Sequence, residues 1–108
     1  ATAYYDALLA PMGGKVLMDF GRGKAWGTAP DQPMVSVILP FDGQPAHPGN
    51  GTMTALMCGS RAQVDGQYKL AIDLGGTDEG PAGQRGPGFY AGYFRDLDGN
   101  KLCFCHFG

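Results

Sequence analysis

Residues 86–108 read GPGFYAGYFRDLDGNKLCFCHFG, and this stretch is the most informative part of the chain. Two apolar runs, Phe89–Arg95 and Lys101–Phe107, flank the five residues DLDGN. Aromatic residues suit a pleated strand, and Asp-Gly-Asn tolerates the positive φ angles of a tight reversal. The stretch therefore predicts a closing β-hairpin. Asp96 and Asp98 are predicted to accept hydrogen bonds from backbone N–H groups of this turn rather than to form a paired-carboxylate site.

The composition is typical of one soluble globular domain, since 44% of the 108 residues are hydrophobic and 17% are charged. A net charge of −2 argues against a nucleic-acid partner, and no apolar run approaches the ~20 residues of a membrane span. Three cysteines, an odd number, argue against a disulfide framework. We therefore expect reduced thiols in a cytoplasmic protein with neither nucleic acid nor membrane as a partner.

Hydrophobic spacing predicts two helices, over residues 1–10 and 61–74. Ser60 followed by Gln63 is a capping box for the second helix. Strands are predicted over residues 15–20, 24–28, 34–39 and 52–58, and in the two runs of the hairpin. The strand at residues 34–39 is nearly all apolar, which predicts that both of its faces are covered. Residues 77–88 are polar and glycine-rich, with one short strand at most.

An internal repeat organises these elements. Tyr5 followed by Gly13-Gly14 is echoed by Tyr68 followed by Gly75-Gly76. The second half is predicted as strand–helix–strand–strand–strand, and the first half as helix–strand–strand–strand. The halves match if one strand is missing before residue 1. We therefore predict a single α+β domain with one module at residues 1–40, a linker at 41–51 and a second module at 52–108.

Five segments carry a family resemblance: YYDALLAP at residues 4–11, PFDGQP at 40–45 with GNGTM at 49–53, SRAQVD at 60–65, GGTDEG at 75–80 and YFRDLDGNKL at 93–102. Together they span essentially the whole chain. They resemble the vicinal oxygen chelate superfamily, also described as the glyoxalase, bleomycin-resistance and ring-cleaving dioxygenase group, in a bacterial glyoxalase-like branch. The resemblance implies paired βαβββ modules whose strands curl into a cup with the helices outside, the first strand being absent here.

The resemblance also implies where catalytic members hold a divalent metal, with ligands from the first, fourth, fifth and eighth strands. The fifth-strand position matches Met53, and the eighth-strand position matches Cys103. The fourth strand, residues 34–39, contains no carboxylate, amide or imidazole. A thioether and a thiol do not suit hard metals. We therefore predict no cofactor, with a divalent metal expected only if a missing N-terminal strand supplies a ligand.

Six residues are predicted to line the ligand site. Strand alternation places Cys103 and Cys105 on one face, which the resemblance makes the cup interior. They are interpreted as small buried hydrophobic residues, with a soft Cu(I) or Zn site that includes Met53 as the alternative. Trp26 and Tyr93 either stack on a planar ligand or pack in the core. Arg85 either clamps an anionic ligand or is a solvated loop arginine.

The predicted function is binding of a small molecule by a homodimeric protein of the bleomycin-resistance type, in a cup that lacks the usual metal ligands. The alternative is a lyase, isomerase or dioxygenase of the same superfamily with a non-standard or N-terminally completed metal site. The sequence leaves open whether the protein is an enzyme. Because a missing central strand leaves sheet edges unpaired, we expect a longer native N-terminus or a partner chain that fills the gap.

Overall fold

Each half of the chain folds around its own sheet. The computed structural model describes residues 2–108 and divides into two units, the first ending at His47 and the second spanning Pro48–Gly108. The elements of the first unit are α1, a short 3-10 helix, β1, β2 and β3, at Thr2–Leu9, Ala10–Met12, Lys15–Asp19, Gly23–Gly27 and Val35–Ile38. Those of the second unit are β4, α2, β5, β6 and β7, at Thr54–Met57, Arg61–Asp73, Thr77–Gly86, Phe89–Arg95 and Lys101–Phe107.

The order of the elements shows the predicted repeat. The second unit is βαβββ and the first is αβββ, so the prediction of an α+β fold with a repeated module is confirmed. Within residues 2–108 the first unit has no strand that corresponds to β4. The boundary between the units lies inside the predicted linker, residues 41–51. That the two units form one domain stays a prediction.

The first unit is built around the contact between α1 and its sheet. The helix predicted over residues 1–10 is observed from Thr2, and Ala1 lies outside the described residues. The Trp26 ring lies 5.5 Å from the ring of Tyr5 between centroids, and its indole N–H donates to Asp6 Oδ1 at 2.7 Å. The side chains on the inner face of α1 are buried, as their spacing predicts: Tyr4, Tyr5, Leu8 and Leu9.

Strand β3 differs from its prediction. Its sheet is antiparallel in the order β1-β2-β3, so β3 is an edge strand of the sheet that residues 2–108 form. Val35 and Val37 are half-buried, whereas Ser36 and Ile38 are exposed. The prediction that both faces are covered is therefore wrong for this part of the chain. The physical reason is that α1 packs on β1 and β2.

The second unit has a four-stranded mixed sheet in the order β4-β7-β6-β5. Strand β4 is parallel to β7, and the other neighbours are antiparallel. Helix α2 connects β4 to β5 and packs on one face of the sheet. It begins at the predicted cap, where Ser60 Oγ accepts from the Gln63 backbone N–H at 3.0 Å. No helix described within residues 2–108 is long and apolar enough to cross a membrane.

The closing hairpin is confirmed as β6 and β7. Asp96 Oδ1 accepts from the backbone N–H groups of Asp98 and Asn100, both at 2.9 Å, and Gly99 adopts φ +87°. The carboxylate of Asp96 thus ties the turn together from inside, as predicted. This register places Tyr93 opposite Cys103, and alternate residues of both strands face α2.

Strand β5 is longer than the sequence suggests, because it covers ten residues rather than one short strand within residues 77–88. Its pairing with β6 shifts register at three places, near Asp78, Gly80 and Gln84. These shifts break the period-two alternation of side chains that identifies a strand in sequence. Because of its glycine-rich composition and its bulges, the length of β5 was underestimated from the sequence.

Candidate functional site

The sheet of the second unit has two faces of different character. Gly92 and Phe104 belong to the helix face, because a Cβ at Gly92 would lie 3.0–3.1 Å from the side chain of Tyr68 on α2, and Gly92 pairs with Phe104. Strand alternation turns the intervening residues to the opposite side. We call this opposite side the thiol face, defined by Ala91, Tyr93, Lys101, Cys103 and Cys105.

The floor of the thiol face is small and apolar. Ala91, Cys103 and Cys105 form a buried cluster, with Cys103 only 1% exposed. Phe89 and Tyr93 pack against this cluster and are partly exposed. The prediction that Cys103 and Cys105 share one face is confirmed by their shared cluster. The surface that remains accessible above this buried cluster is therefore the aromatic surface of Phe89 and Tyr93.

The Cys103 thiol on this face is neutral at physiological pH. Burial, together with the neighbouring Cys105 thiol that hydrogen-bonds with Cys103, raises the pKa of Cys103 to about 11. The Cys105 Sγ atom lies 3.5 Å from Met57 Sδ. All three cysteines are free. Because the thiolate is the nucleophile and the metal ligand, Cys103 behaves here as a small hydrophobic residue.

Two cations converge on Tyr93 from the strands on either side of β6. Arg85 on β5 places Cζ 5.4 Å from the centre of the Tyr93 ring, and Lys101 on β7 places Nζ 5.7 Å from it. Neither cation belongs to an ion pair among residues 2–108. Arg95, by contrast, pairs with Glu79 at 3.2 Å and is neutralised. Arg85 and Lys101 therefore leave net positive charge beside a half-buried aromatic ring.

The position of Arg85 depends on two glycines of β5. A Cβ at Gly83 would lie 3.0 Å from one terminal guanidinium nitrogen, and a Cβ at Gly80 would lie 3.3 Å from the other. The guanidinium also donates to the carbonyl oxygen of Pro81. The absence of side chains at these two positions lets Arg85 lie across its own strand and reach Tyr93. The solvated-loop interpretation of Arg85 therefore misses its contact with this ring.

The residues that the resemblance assigns to the metal do not fit a hard divalent ion. Met53 offers a thioether, and Cys103 a protonated thiol, where carboxylate or imidazole is needed. Within residues 2–108 no three His, Cys, Asp or Glu side chains are grouped as a metal site. The methionine sulfur that contacts the Cys105 thiol belongs to Met57 and not to Met53. Sequence reasoning missed Met57, although it has the same strand parity as Met53.

The six predicted site residues have different places in the structure. Tyr93, Arg85, Cys103 and Cys105 come together at the thiol face. Met53 lies just before β4 and is 48% exposed. Trp26 belongs to the first unit, where it is buried against α1 and bonded to Asp6, so it is a core residue. Lys101 completes the group around Tyr93. The sequence signal for it is that Lys101 lies two residues before Cys103 and therefore on the same face of the strand.

Solved structures with this fold are numerous. A glyoxalase/bleomycin resistance protein from Albidiferax ferrireducens T118 is 34% identical over 97% of this chain and 85% of its own, with a TM-score of 0.84. A glyoxalase-related enzyme from Fulvimarina pelagi is 16% identical over 94% of this chain and 74% of its own, with a TM-score of 0.72.

A third structure is a glyoxalase/bleomycin resistance protein/dioxygenase family enzyme from Burkholderia phytofirmans PsJN. It is 13% identical over 96% of this chain and 85% of its own, with a TM-score of 0.73. The last two similarities support the fold alone. No family model and no curated protein sequence matches the chain. On the similarity to the Albidiferax protein, the chain belongs to the glyoxalase/bleomycin resistance/dioxygenase superfamily.

Proposed function

We propose that this protein binds a small molecule on the thiol face of its second unit without a metal ion, as a sequestering protein of the bleomycin-resistance type does. The observation that supports this function best is the half-buried ring of Tyr93, which stands beside an apolar floor and between two cations that have no ion-pair partner in the described part of the chain. Aromatic and apolar surface with a few converging polar groups is typical of ligand sites.

The neutral floor also argues for binding rather than for acid–base chemistry. A general base needs a pKa near the working pH, and burial holds the pKa of Cys103 at about 11. Glu79, a carboxylate of β5, is engaged by Arg95. The thiol face therefore presents cations that orient a ligand beside a Cys103 thiol that stays protonated at neutral pH.

The test uses two probes of the same shape, naphthalene-2-carboxylate and naphthalene-2-carboxamide. We expect at least one of them to produce saturable shifts in amide NMR spectra, concentrated at Ala91, Tyr93 and Cys103. Tyr93→Leu is expected to weaken this binding. Tyr90→Leu is the matched control, because Tyr90 lies on the same strand with the opposite parity. If neither probe shifts these amides up to its solubility limit, the proposed function is wrong for this face.

Metal analysis separates this function from the alternative of a lyase, isomerase or dioxygenase. Protein purified without a chelator is expected to contain no stoichiometric Ni, Zn, Fe or Mn, because Met53 offers only a thioether and Cys103 a protonated thiol. One equivalent of any of these metals would contradict the proposal and favour the enzyme.

We also propose that the protein is a homodimer. The first unit exposes several large apolar side chains, which favour burial against a second copy: Met18, Phe20, Ile38, Leu39 and Phe41. Sedimentation equilibrium is expected to give twice the 11.3 kDa of one chain. A cytoplasmic location stays a prediction.

A further inference from the structure

We infer that the ligand is a planar organic anion, whose acidic group binds to Arg85 and Lys101 while its ring packs against Tyr93. This inference rests on the proposed function and names the ligand class. Cation and aromatic groups recur in many proteins, and this group is distinguished by what surrounds its three side chains.

The nearby acidic side chains are already engaged. Glu79 pairs with Arg95, and Asp78 accepts hydrogen bonds from the Tyr68 hydroxyl at 2.7 Å and from the Gly80 backbone N–H at 2.8 Å. Arg85 and Lys101 are both cations and lie near the same ring, so they repel each other. No ion pair within residues 2–108 offsets this repulsion. An anion bound by both cations offsets this repulsion and gains charge-assisted hydrogen bonds.

The guanidinium of Arg85 is held in place before any ligand arrives. One terminal nitrogen donates to the Pro81 carbonyl oxygen, and the group lies in space that Gly80 and Gly83 leave open. Guanidinium has five N–H donors, so donors remain for a carboxylate or a similar acidic group. Fixing the side chain in advance lowers the entropy cost of binding.

The floor beneath Tyr93 is apolar and does not repel an anion. Ala91, Cys103 and Cys105 are buried and apolar in character, and the Cys103 thiol is uncharged because burial raises its pKa to about 11. A ligand with an extended apolar ring and an acidic edge therefore meets complementary surface at both parts.

Arg61, which contacts Tyr90 on the other face of β6, has surroundings different from those of Arg85. Arg61 lies 5.1 Å from the ring centre of Tyr90, but its Nε donates to the Gly108 carbonyl oxygen, and the Tyr90 hydroxyl donates to Asp65. The difference is the carboxylate of Asp65, which lies at the same ring and repels an anion. Arg61 is therefore a matched control for Arg85, with the same charge and the same kind of ring contact.

The experiment compares the affinities of naphthalene-2-carboxylate and naphthalene-2-carboxamide, measured from amide shifts at the thiol face. The wild-type protein is expected to bind the carboxylate about tenfold more tightly, since a charge-assisted hydrogen bond contributes roughly that factor. Arg85→Gln and Lys101→Gln should each remove most of this preference, measured as the ratio of the two affinities within each variant. Arg61→Gln should keep the full preference. Melting temperatures establish that all three variants are folded.

A salt series supplies a measurement that needs no variant. Carboxylate binding by the wild-type protein should weaken as NaCl rises, while carboxamide binding should not. Equal affinities for the two probes, or a preference that survives in both Arg85→Gln and Lys101→Gln, would overturn the inference and leave the proposed function standing. Absence of binding by both probes would instead contradict the proposed function itself.

Discussion

The two faces of the second sheet use the same strands for different purposes. On the helix face, Phe94 and Phe104 are fully buried and their rings stack 5.5 Å apart between centroids. On the thiol face, a buried floor of small residues supports a partly exposed Tyr93 with cations beside it. Residues of one parity therefore pack against the helix, and those of the other parity include the partly exposed Tyr93 that we propose to bind a ligand.

This difference separates the expected effects of substitution. Changes on the helix face should lower stability, because they remove buried apolar contacts. Changes to the exposed groups of the thiol face should alter ligand affinity and leave stability nearly unchanged. The comparison between the faces is thus open to direct measurement.

Phe104→Ala is expected to have the largest effect. The substitution removes a fully buried ring and leaves a cavity beside Phe94, so the free energy of unfolding in urea should fall by about 3–5 kcal/mol. Phe107→Ala is the control on the same strand and the other face. Phe107 is 65% exposed and contacts Phe89, so its loss should cost about 1 kcal/mol or less. Equal losses would break the distinction between the faces.

Asp96→Ala should be the next most damaging change. Asp96 holds the turn that sets the register of β6 and β7, and its loss leaves the backbone N–H groups of Asp98 and Asn100 without their charged acceptor. We expect a loss of about 2–3 kcal/mol by urea unfolding. Asp98→Ala is the control, because Asp98 is exposed. A neutral Asp96→Ala variant would show that the turn does not depend on this carboxylate.

Gly92→Ala tests how closely α2 packs on the helix face. The new methyl group would lie 3.0–3.1 Å from three carbon atoms of Tyr68, including its Cβ, so α2 or β6 must shift. The expected cost is about 1–2 kcal/mol in unfolding free energy. Gly86→Ala on β5 meets no atom within 4 Å and should be neutral or slightly stabilising. Similar values for the two variants would argue against close packing at Gly92.

The smallest expected effect concerns pH and the thiol face. Burial raises the pKa of Cys103 from 9.0 to about 11, so the unfolded chain loses this proton first as pH rises. The stability from the neutral thiol is therefore fully present below pH 9 and is lost between about pH 9 and 11. At pH 10 the loss is on the order of 1 kcal/mol.

Cys103→Ala should flatten the pH dependence of the urea midpoint over this range. The variant is also expected to be less stable at every pH because of the lost side chain, and this constant offset does not affect the slope. Parallel curves for the wild-type protein and the variant would contradict a neutral buried thiol at this position.

The sequence was sufficient for features that depend on neighbours along the chain. The hairpin, the Ser60 cap and the buried face of α1 follow from turn chemistry and from helical spacing over a few residues. The repeat of the two modules followed from comparing these local signals. Strand alternation also placed Cys103 and Cys105 on one face, because that face is fixed by parity alone.

The grouping of Arg85 and Lys101 around Tyr93 could not be predicted from the sequence, for a physical reason. Arg85 reaches Tyr93 only because β5 shifts register and carries glycines where its guanidinium lies, and neither effect has a periodic signal. The contact of Met57 with Cys105 depends on the parallel register of β4 and β7, which are joined through α2. For Trp26, the sequence did not fix which side of β2 faces α1.

The irregular pairing of β5 also bears on aggregation. An edge strand with evenly spaced N–H and C=O groups is a template for pairing with another chain. Strand β5 is an edge of its sheet, and three register shifts, Pro81 and the left-handed Gly80 interrupt that spacing. The same irregular pairing that accompanies the contact of Arg85 with Tyr93 thus makes this long edge a poor template for strands of other molecules.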